Sequence, residues 1–363
     1  MRALTLPLAA ALLSLTGCPP EQATLPDPSP AAGLTYPIVA TGQAGCYDTA
    51  GQIDCTAGPL AGQDAQYQGH AARYTVPGDG TVVDEITGLV WTQAHLGKAS
   101  WTDAWDLARG CAVGGYDDWR LPTLKELYSL IDFDGTTNMS AASSTPYLDT
   151  AVFAFDYGDE AAGERFIDAQ YWSATEYVGT TMNGAHTVFG VNFADGRIKG
   201  YPTAAPAGGG DKLNFVRLVR GNPAYGVNDL EATAETVLDR ATGLEWMRDD
   251  AGQALDWPAA LAYCEGLVLA GHDDWRLPDA KSLQSIVDYG RSPTTTDSAA
   301  IDPVFGVSDP QSYYWTSTTH RDGPPETWGR WAAYVAFGQA FGYMQLPGMA
   351  GPERVDVHGA GAQ

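Results

Sequence analysis

An α+β fold is predicted, made of two tandem, loop-rich units that each carry two helices and short antiparallel strands. Three observations predict it. The chain repeats itself: VVDEITGLVW at 82–91 returns as VLDRATGLEW at 237–246, and DDWRLP at 117–122 returns unchanged at 273–278. A period near 150 marks a duplicated domain, not a solenoid, whose units run about 20–50 residues. Within each copy the order is strand, two helices, long loops, then short aromatic strands, which is an α+β plan. The 42 Gly, 23 Pro, 11 Trp and 18 Tyr among 363 residues suit loops pinned by aromatic side chains.

The elements follow in order. Residues 1–17 hold one basic residue, Arg2, then an apolar run to Leu15 that is too short to span a bilayer, which needs about 20 residues. This is the pattern of an export signal. Its end, Leu15-Thr16-Gly17-Cys18, resembles the lipobox of bacterial lipoproteins, in which the Cys becomes the acylated first residue. Pro19, rather than Asp, follows it, and by resemblance to Gram-negative sorting this favours the outer membrane. Residues 18–45 are Pro-rich and predict an extended tether. Residues 46–79 form a lead-in, with Cys46 and Cys55 flanking a turn-rich segment that a disulfide can close in an oxidising compartment.

The first repeat spans 80–221 and the second unit 222–363, with repeat motifs from about 235. Gly88 and Gly243 suit turn positions needing positive φ. Trp101 to Cys111 and Trp257 to Leu267 read as amphipathic helices. TLKELYSLIDF and DAKSLQSIVDY, just after Pro122 and Pro278, read as second helices. Asp195-Gly196 marks a hairpin between aromatic strands. Cys111 and Cys264 lie in different repeats. They either pair across an interface or stay as buried free thiols, the second being favoured.

These motifs together resemble the C-terminal domain of the Legionella collagen-like adhesin, a family of bacterial surface modules. Repeat one carries T-G-L-x-W at Thr87–Trp91, D-W-R-L-P at Asp118–Pro122, Y-W-[ST]-[SA]-T at Tyr171–Thr175, V-x-F-x-D-G at Val191–Gly196 and V-R-x-V-R at Val216–Arg220. The resemblance implies a C-type-lectin-like fold in each copy and an adhesive, glycan- or protein-binding role. In that fold the last strand pairs with the first. Repeat two departs from the pattern. It lacks the Asp-Gly hairpin and V-R-x-V-R, so 237–246 is expected to be an unpaired edge unless Arg354 to His358 supplies a substitute strand.

Charge excludes one class of partner. Twenty basic against 44 acidic residues give −24, or −25 once Arg2 leaves with the signal, and no basic patch offers a footing for nucleic acid. Membrane contact is expected through the lipid anchor alone. Enzyme chemistry finds no constellation: no Cys follows Cys264, and the six His stand at 70, 95, 186, 272, 320 and 358 without ligand spacing. Asp118, Trp119, Arg120 and their partners Asp274, Trp275 and Arg276 are read as scaffold: the Trp buried, the Arg paired, the Pro starting a helix.

Ligand contact is assigned to irregular loops, which a rigid scaffold presents. These are Tyr177, Asn183 and His186 in repeat one, and His320, Arg321, Trp328, Arg330 and Trp331 in repeat two. Calcium is the one candidate cofactor. Asp132, Asp134 and Asn138 surround Gly135, but Ser143 stands where a calcium loop has its bidentate Glu. The expected protein is a non-enzymatic, lipid-anchored binding or adhesion protein of the cell envelope that takes a glycan or a surface protein. The alternative is an assembly lipoprotein that binds envelope proteins, and a third, weaker reading is an enzyme with a carboxylate site that no motif marks.

Overall fold

Asp84 starts the first hairpin. Its Oδ1 accepts the N–H groups of Ile86 and Thr87, and Gly88 closes the turn at φ 72°. Strands Thr81–Asp84 and Leu89–Thr92 pair across it. Asp239 and Gly243 repeat the device between Thr236–Asp239 and Leu244–Met247. The computed structural model describes residues 33–55, 60–67, 69–204, 210–345 and 350–363. The signal, Cys18 and the start of the tether lie outside these residues.

Helix α1 (Trp101–Gly110) is capped by Ser100, whose side chain accepts from Asp103 N. Helix α2 (Leu124–Ser129) opens on a reciprocal capping box of Thr123 and Glu126. Helices α3 (Trp257–Glu265) and α4 (Ala280–Ser285) take Asp256 and Asp279 as caps. Both second helices are shorter than their sequences predict. In repeat one the chain turns out at Asp132 and Phe133, whose N–H groups bond to Tyr147 O and Thr41 O.

Repeat one has two sheets. Val219–Gly221, Leu89–Thr92, Thr81–Asp84 and Tyr74–Thr75 form one, in that order. Lys98–Ala99, Asn214–Phe215, Gln170–Glu176, Thr187–Asn192 and Arg197–Pro202 form the other. In repeat two the corresponding sheets are reduced to Leu230–Ala232 with the Thr236–Asp239 hairpin, the pair Tyr313–Thr319 with Ala332–Ala336, and the pair Phe341–Met344 with Glu353–Asp356. The fold is thus mixed α+β, with mostly small antiparallel sheets and few helices.

The repeats share a core. Leu124, Leu127 and Tyr128 of α2 belong to one apolar cluster with Leu283 of α4 and with Ile286 and Val287 just beyond it. The contact is reciprocal. Lys125 Nζ donates to Ser285 O at 2.7 Å, and Lys281 Nζ donates to Ser129 O at 2.9 Å. Each lysine therefore sits on the last carbonyl of the opposite helix, where the backbone dipoles favour a cation. The offset of 156 relates both the lysines and the serines, so the two copies meet about a pseudo-twofold.

Burial pushes both lysines down to about 8. Nearby carboxylates, Asp239 and Asp288 for Lys125 and Asp132 and Asp279 for Lys281, oppose the shift. The folded protein therefore releases these protons before the unfolded chain does, and stability gained from them rises as pH climbs from about 8 toward the unfolded value near 10.4. A Lys281→Met variant lacks this dependence. Wild type should gain on it by about 2–3 kcal/mol between pH 7.5 and 10.5 in urea titrations. A constant difference would show that Lys281 titrates alike in the folded and unfolded chain, so that burial does not penalise its charge.

Residues 34–45 correct the expectation of a tether running to 45. Tyr36 is buried against Tyr225 at 4.6 Å and donates its N–H to Ala241 O. Gln43 exchanges two bonds with the backbone of Thr319. Apolar Tyr36 and Val39 have core to reach, so this stretch is packed between the repeats. Cys46 and Cys55 form the expected disulfide, while Cys111 and Cys264 are free. Replacing both Cys46 and Cys55 by Ser should cost about 2–3 kcal/mol, the loop-closure value for so short a ring. Differential scanning calorimetry under non-reducing conditions reads it.

Candidate functional site

The D-W-R-L-P motif takes different surroundings in the two copies. In repeat one Trp119 is buried and donates Nε1–H to Val113 O at 3.0 Å. Arg120 grips buried Glu126 with two bonds of 2.7 and 2.6 Å, and its backbone bridges Val219 on the last strand. Asp118 pairs with Arg220 of that strand at 2.6 Å, and the guanidinium holds its carboxyl below the usual carboxylate range. In repeat two Trp275 donates to Leu269 O at 3.3 Å and Arg276 reaches Asp279 at 3.4 Å. Asp274 is exposed and forms no ion pair among the described residues.

The reason is the last strand. In repeat one Val216, Arg217, Leu218 and Val219 are fully buried, Val216 and Leu218 packing with Trp119, Leu121 and Trp172 and Val219 facing the main core. Val219–Gly221 pairs antiparallel with Leu89–Thr92, every residue of which is buried. Repeat two has the receiving surface but no described strand to fill it. Leu244–Met247 is the sheet edge, its residues half-buried and Glu245 exposed. The vacated space is an open groove of about 970 Å³ walled by Trp246, Trp275, Leu277 and Trp315, with Tyr313 and Tyr314 at its side.

The C-terminal segment does not fill the groove. Glu353–Asp356 pairs with Phe341–Met344, and the chain then crosses to repeat one, where Gly200 N donates to His358 O. It is a strand, but not the substitute one for 237–246. Nor is the whole of 237–246 an open edge, because Thr236–Asp239 is covered by Leu230–Ala232 on its far side.

A family model described as the Lcl C-terminal domain matches residues 80–220 and again 235–350. The chain belongs to this family. The first match includes the last strand of its module, whereas the second stops before Glu353. No curated protein matches the chain. No solved structure matches it either. Membership of the Lcl family suggests an adhesin-like role at a surface.

The loops singled out in sequence largely join the two Lcl modules to each other. Tyr177 is buried, its hydroxyl 3.3 Å from Ser292 Oγ and from Asp356 Oδ2. His320 is buried and stacked on Tyr147 at 5.5 Å, with Nε2 2.8 Å from Asp195 O. Burial pushes it down to about 4, so it is neutral at pH 7. Arg321 bonds Asp134 at 2.7 Å and lies over Trp328, which also meets the edge of Tyr47 in the disulfide loop. Trp328 donates its Nε1–H to Gly323 O. The residues left facing solvent are Asn183, His186, Arg330 and Trp331, with His186 bonded to Glu176 at 2.8 Å.

Each candidate calcium ligand has a partner inside the protein. Asp132 Oδ1 accepts from Asp134 N, Asp134 is taken by Arg321, and Asn138 Nδ2 donates to Ser143 O at 2.7 Å. Among the described residues no three acidic, His or Cys side chains gather as a metal site. Sequence reasoning missed Tyr313, Tyr334 and Tyr343, exposed on repeat two, the first two 4.7 Å apart. Nothing in the local sequence separates them from the buried aromatic residues in the strands of the first module. Cys264 on the groove wall is pushed up to about 11 by burial, so it is an inert thiol at neutral pH. A second cavity, about 820 Å³, lies where the modules meet, but Lys125 and Glu126 in it are already bonded internally.

Proposed function

We propose that this chain is a non-enzymatic adhesin-type lipoprotein of the bacterial envelope, anchored through Cys18 at the outer membrane. In this reading both modules are C-type-lectin-like, and the second takes the ligand. The observation that carries it is the open groove of repeat two, whose counterpart in repeat one is closed by the module's own strand. Pairing of the last strand with the first hairpin in repeat one supports the lectin-like fold. The buried groups with shifted protonation, such as Lys125, Lys281 and His320, are engaged inside the shared core, which supports binding over catalysis. The alternative, an assembly lipoprotein that binds envelope proteins, is favoured by one feature, the outer edge of Leu244–Met247, which no described strand covers.

The test is a binding screen of the purified chain against glycans, sulfated polysaccharides included, and envelope-protein fragments. Saturable binding is expected, and it should drop at least tenfold when Tyr313 and Tyr334 both become Ser. Binding should be equal in calcium and in chelator, because Arg321 already engages Asp134. Calcium-dependent binding would return Asp132, Asp134 and Asn138 to the role of ligands. A catalytic product formed from any screened compound would overturn the non-enzymatic reading.

A further inference from the structure

We propose that the groove of repeat two is a strand-acceptor site that takes a cationic, extended segment of a partner protein with the pattern apolar-Arg-apolar-apolar-Arg. The inference rests on the reading that this groove is the binding site, and it names the class of occupant.

Repeat one displays the filled form of the same slot. Its occupant, Val216–Arg220, places apolar side chains on the Trp119 side and adds backbone bonds to the hairpin edge. Thr92 N donates to Leu218 O, so the N–H at this position points outward from the hairpin. Met247 stands at the matching position of Leu244–Met247, beside the vacant space. An edge strand next to an apolar trough is the geometry of β-strand addition, in which main-chain bonds give affinity and side-chain pockets give specificity.

Charge selects the occupant further. In repeat one Arg217 lies over the rings of Phe153 and Tyr171, and Arg220 pairs with Asp118. The matching positions in repeat two are Phe305, Tyr314 and Asp274. There Tyr314 Oη bonds the Asp250 carboxylate at 2.8 Å, while Asp274 is exposed and unpaired among the described residues. The groove lining carries Glu245, Asp249, Asp250, Asp274 and Asp309 against Arg248 and Arg276. The outer arginine position of a V-R-x-V-R strand therefore faces Asp274, and the inner one faces the Tyr314 ring, whose hydroxyl is bonded to Asp250.

Two described segments that resemble an occupant are poor ones. Aligning Gly359 with Gly221 puts Asp356 at the buried position of Leu218, and Glu353–Asp356 is already paired elsewhere. In a second copy, Val216–Arg220 is locked in its own first module by the three carbonyl bonds of Arg217. A separate protein is the occupant the observations favour.

The experiment titrates the full chain into a fluorescein-labelled peptide of sequence NFVRLVRG, that of residues 214–221, and reads polarisation at low and high salt. Saturable binding is expected, weakening at least tenfold in 0.5 M salt and at least tenfold when both peptide arginines are glutamate. The surface variant Asp274→Lys should weaken it several-fold without altering the unfolding midpoint. Hydrogen exchange at 244–247 should slow on peptide addition. Failure of the peptide to bind a normally folding chain overturns the proposal, as does binding that leaves exchange at 244–247 unchanged. Self-association of the chain that the peptide competes away would replace the separate partner by a second copy. Glycan binding in the screen above with no peptide binding here would overturn this inference alone and leave the adhesin reading standing.

Discussion

Replacing Arg217 by Met is expected to destabilise the protein by about 3–5 kcal/mol, the largest effect of any single polar side chain in the first module. The guanidinium is fully buried and has no carboxylate partner among the described residues. Nη1 donates to Thr92 O and Gln93 O at 2.6 and 2.8 Å and Nη2 to Ala154 O at 2.6 Å, while Nε has no partner among the described residues. Phe153 and Tyr171 cover its faces at 4.9 and 5.7 Å. Met fills much of the volume but strips Thr92 O and Ala154 O of a charged donor, while Gln93 O keeps the N–H of Ala154, and each such loss is worth about 1–3 kcal/mol. Relaxation and the apolar replacement return part of that. Arg217→Lys should recover little, because one ammonium cannot span acceptors that a planar fork reaches on both sides. Urea unfolding followed by tryptophan fluorescence reads the change. A loss under 1 kcal/mol would mean that water satisfies the carbonyls and that the last strand is held by its apolar residues alone. Repeat two has no counterpart of this pin, which is the physical reason its slot stands open.

Much of this fold was legible because the repeated motifs are packing motifs. Trp119 and Trp275 both donate to a carbonyl six residues upstream, and Thr123 and Asp279 both cap a helix. Such local devices follow from residue type and spacing. The missing V-R-x-V-R likewise pointed to an open edge near 244. What the sequence could not reveal is which surfaces meet. Apolar periodicity in α2 and α4 says that a face is buried, not that the two helices bury each other. Nothing local marks Lys125 and Lys281 as buried, since a lysine on the far helix's last carbonyl leaves no trace in its own sequence. Tyr177 and His320 sit in polar loops, so they resembled ligand contacts, yet each serves the opposite module. Residues 34–45 looked like tether because proline frequency outweighed the two side chains, Tyr36 and Val39, that the core admits.

The join between the modules should fail first at Gly361. Gly361→Val is expected to cost about 3–5 kcal/mol. The residue sits at φ 100°, where a β-branched side chain is strained by about 1–3 kcal/mol. A Cβ there would lie 2.5 Å from a ring carbon of Tyr289 and 3.0 Å from Val287, so overpacking adds about as much again. The strain falls on the segment that ties the copies together. Gly361 N donates to Ala336 O in repeat two, while Gln363 N donates to Ile198 O and its amide to Gly196 O in repeat one. Ala360 and Ala362 are buried between them, and Tyr128 of α2 bonds the Gln363 side chain. Gly351 supplies the control: a Cβ there meets nothing within 4 Å, so Gly351→Val should change stability by less than about 0.5 kcal/mol. Loss of the tail contact should also split one cooperative transition into two, since the second module lacks the strand that closes the first. Calorimetry showing a single transition lowered as a whole would instead mean that α2, α4 and residues 34–45 hold the modules together without the tail.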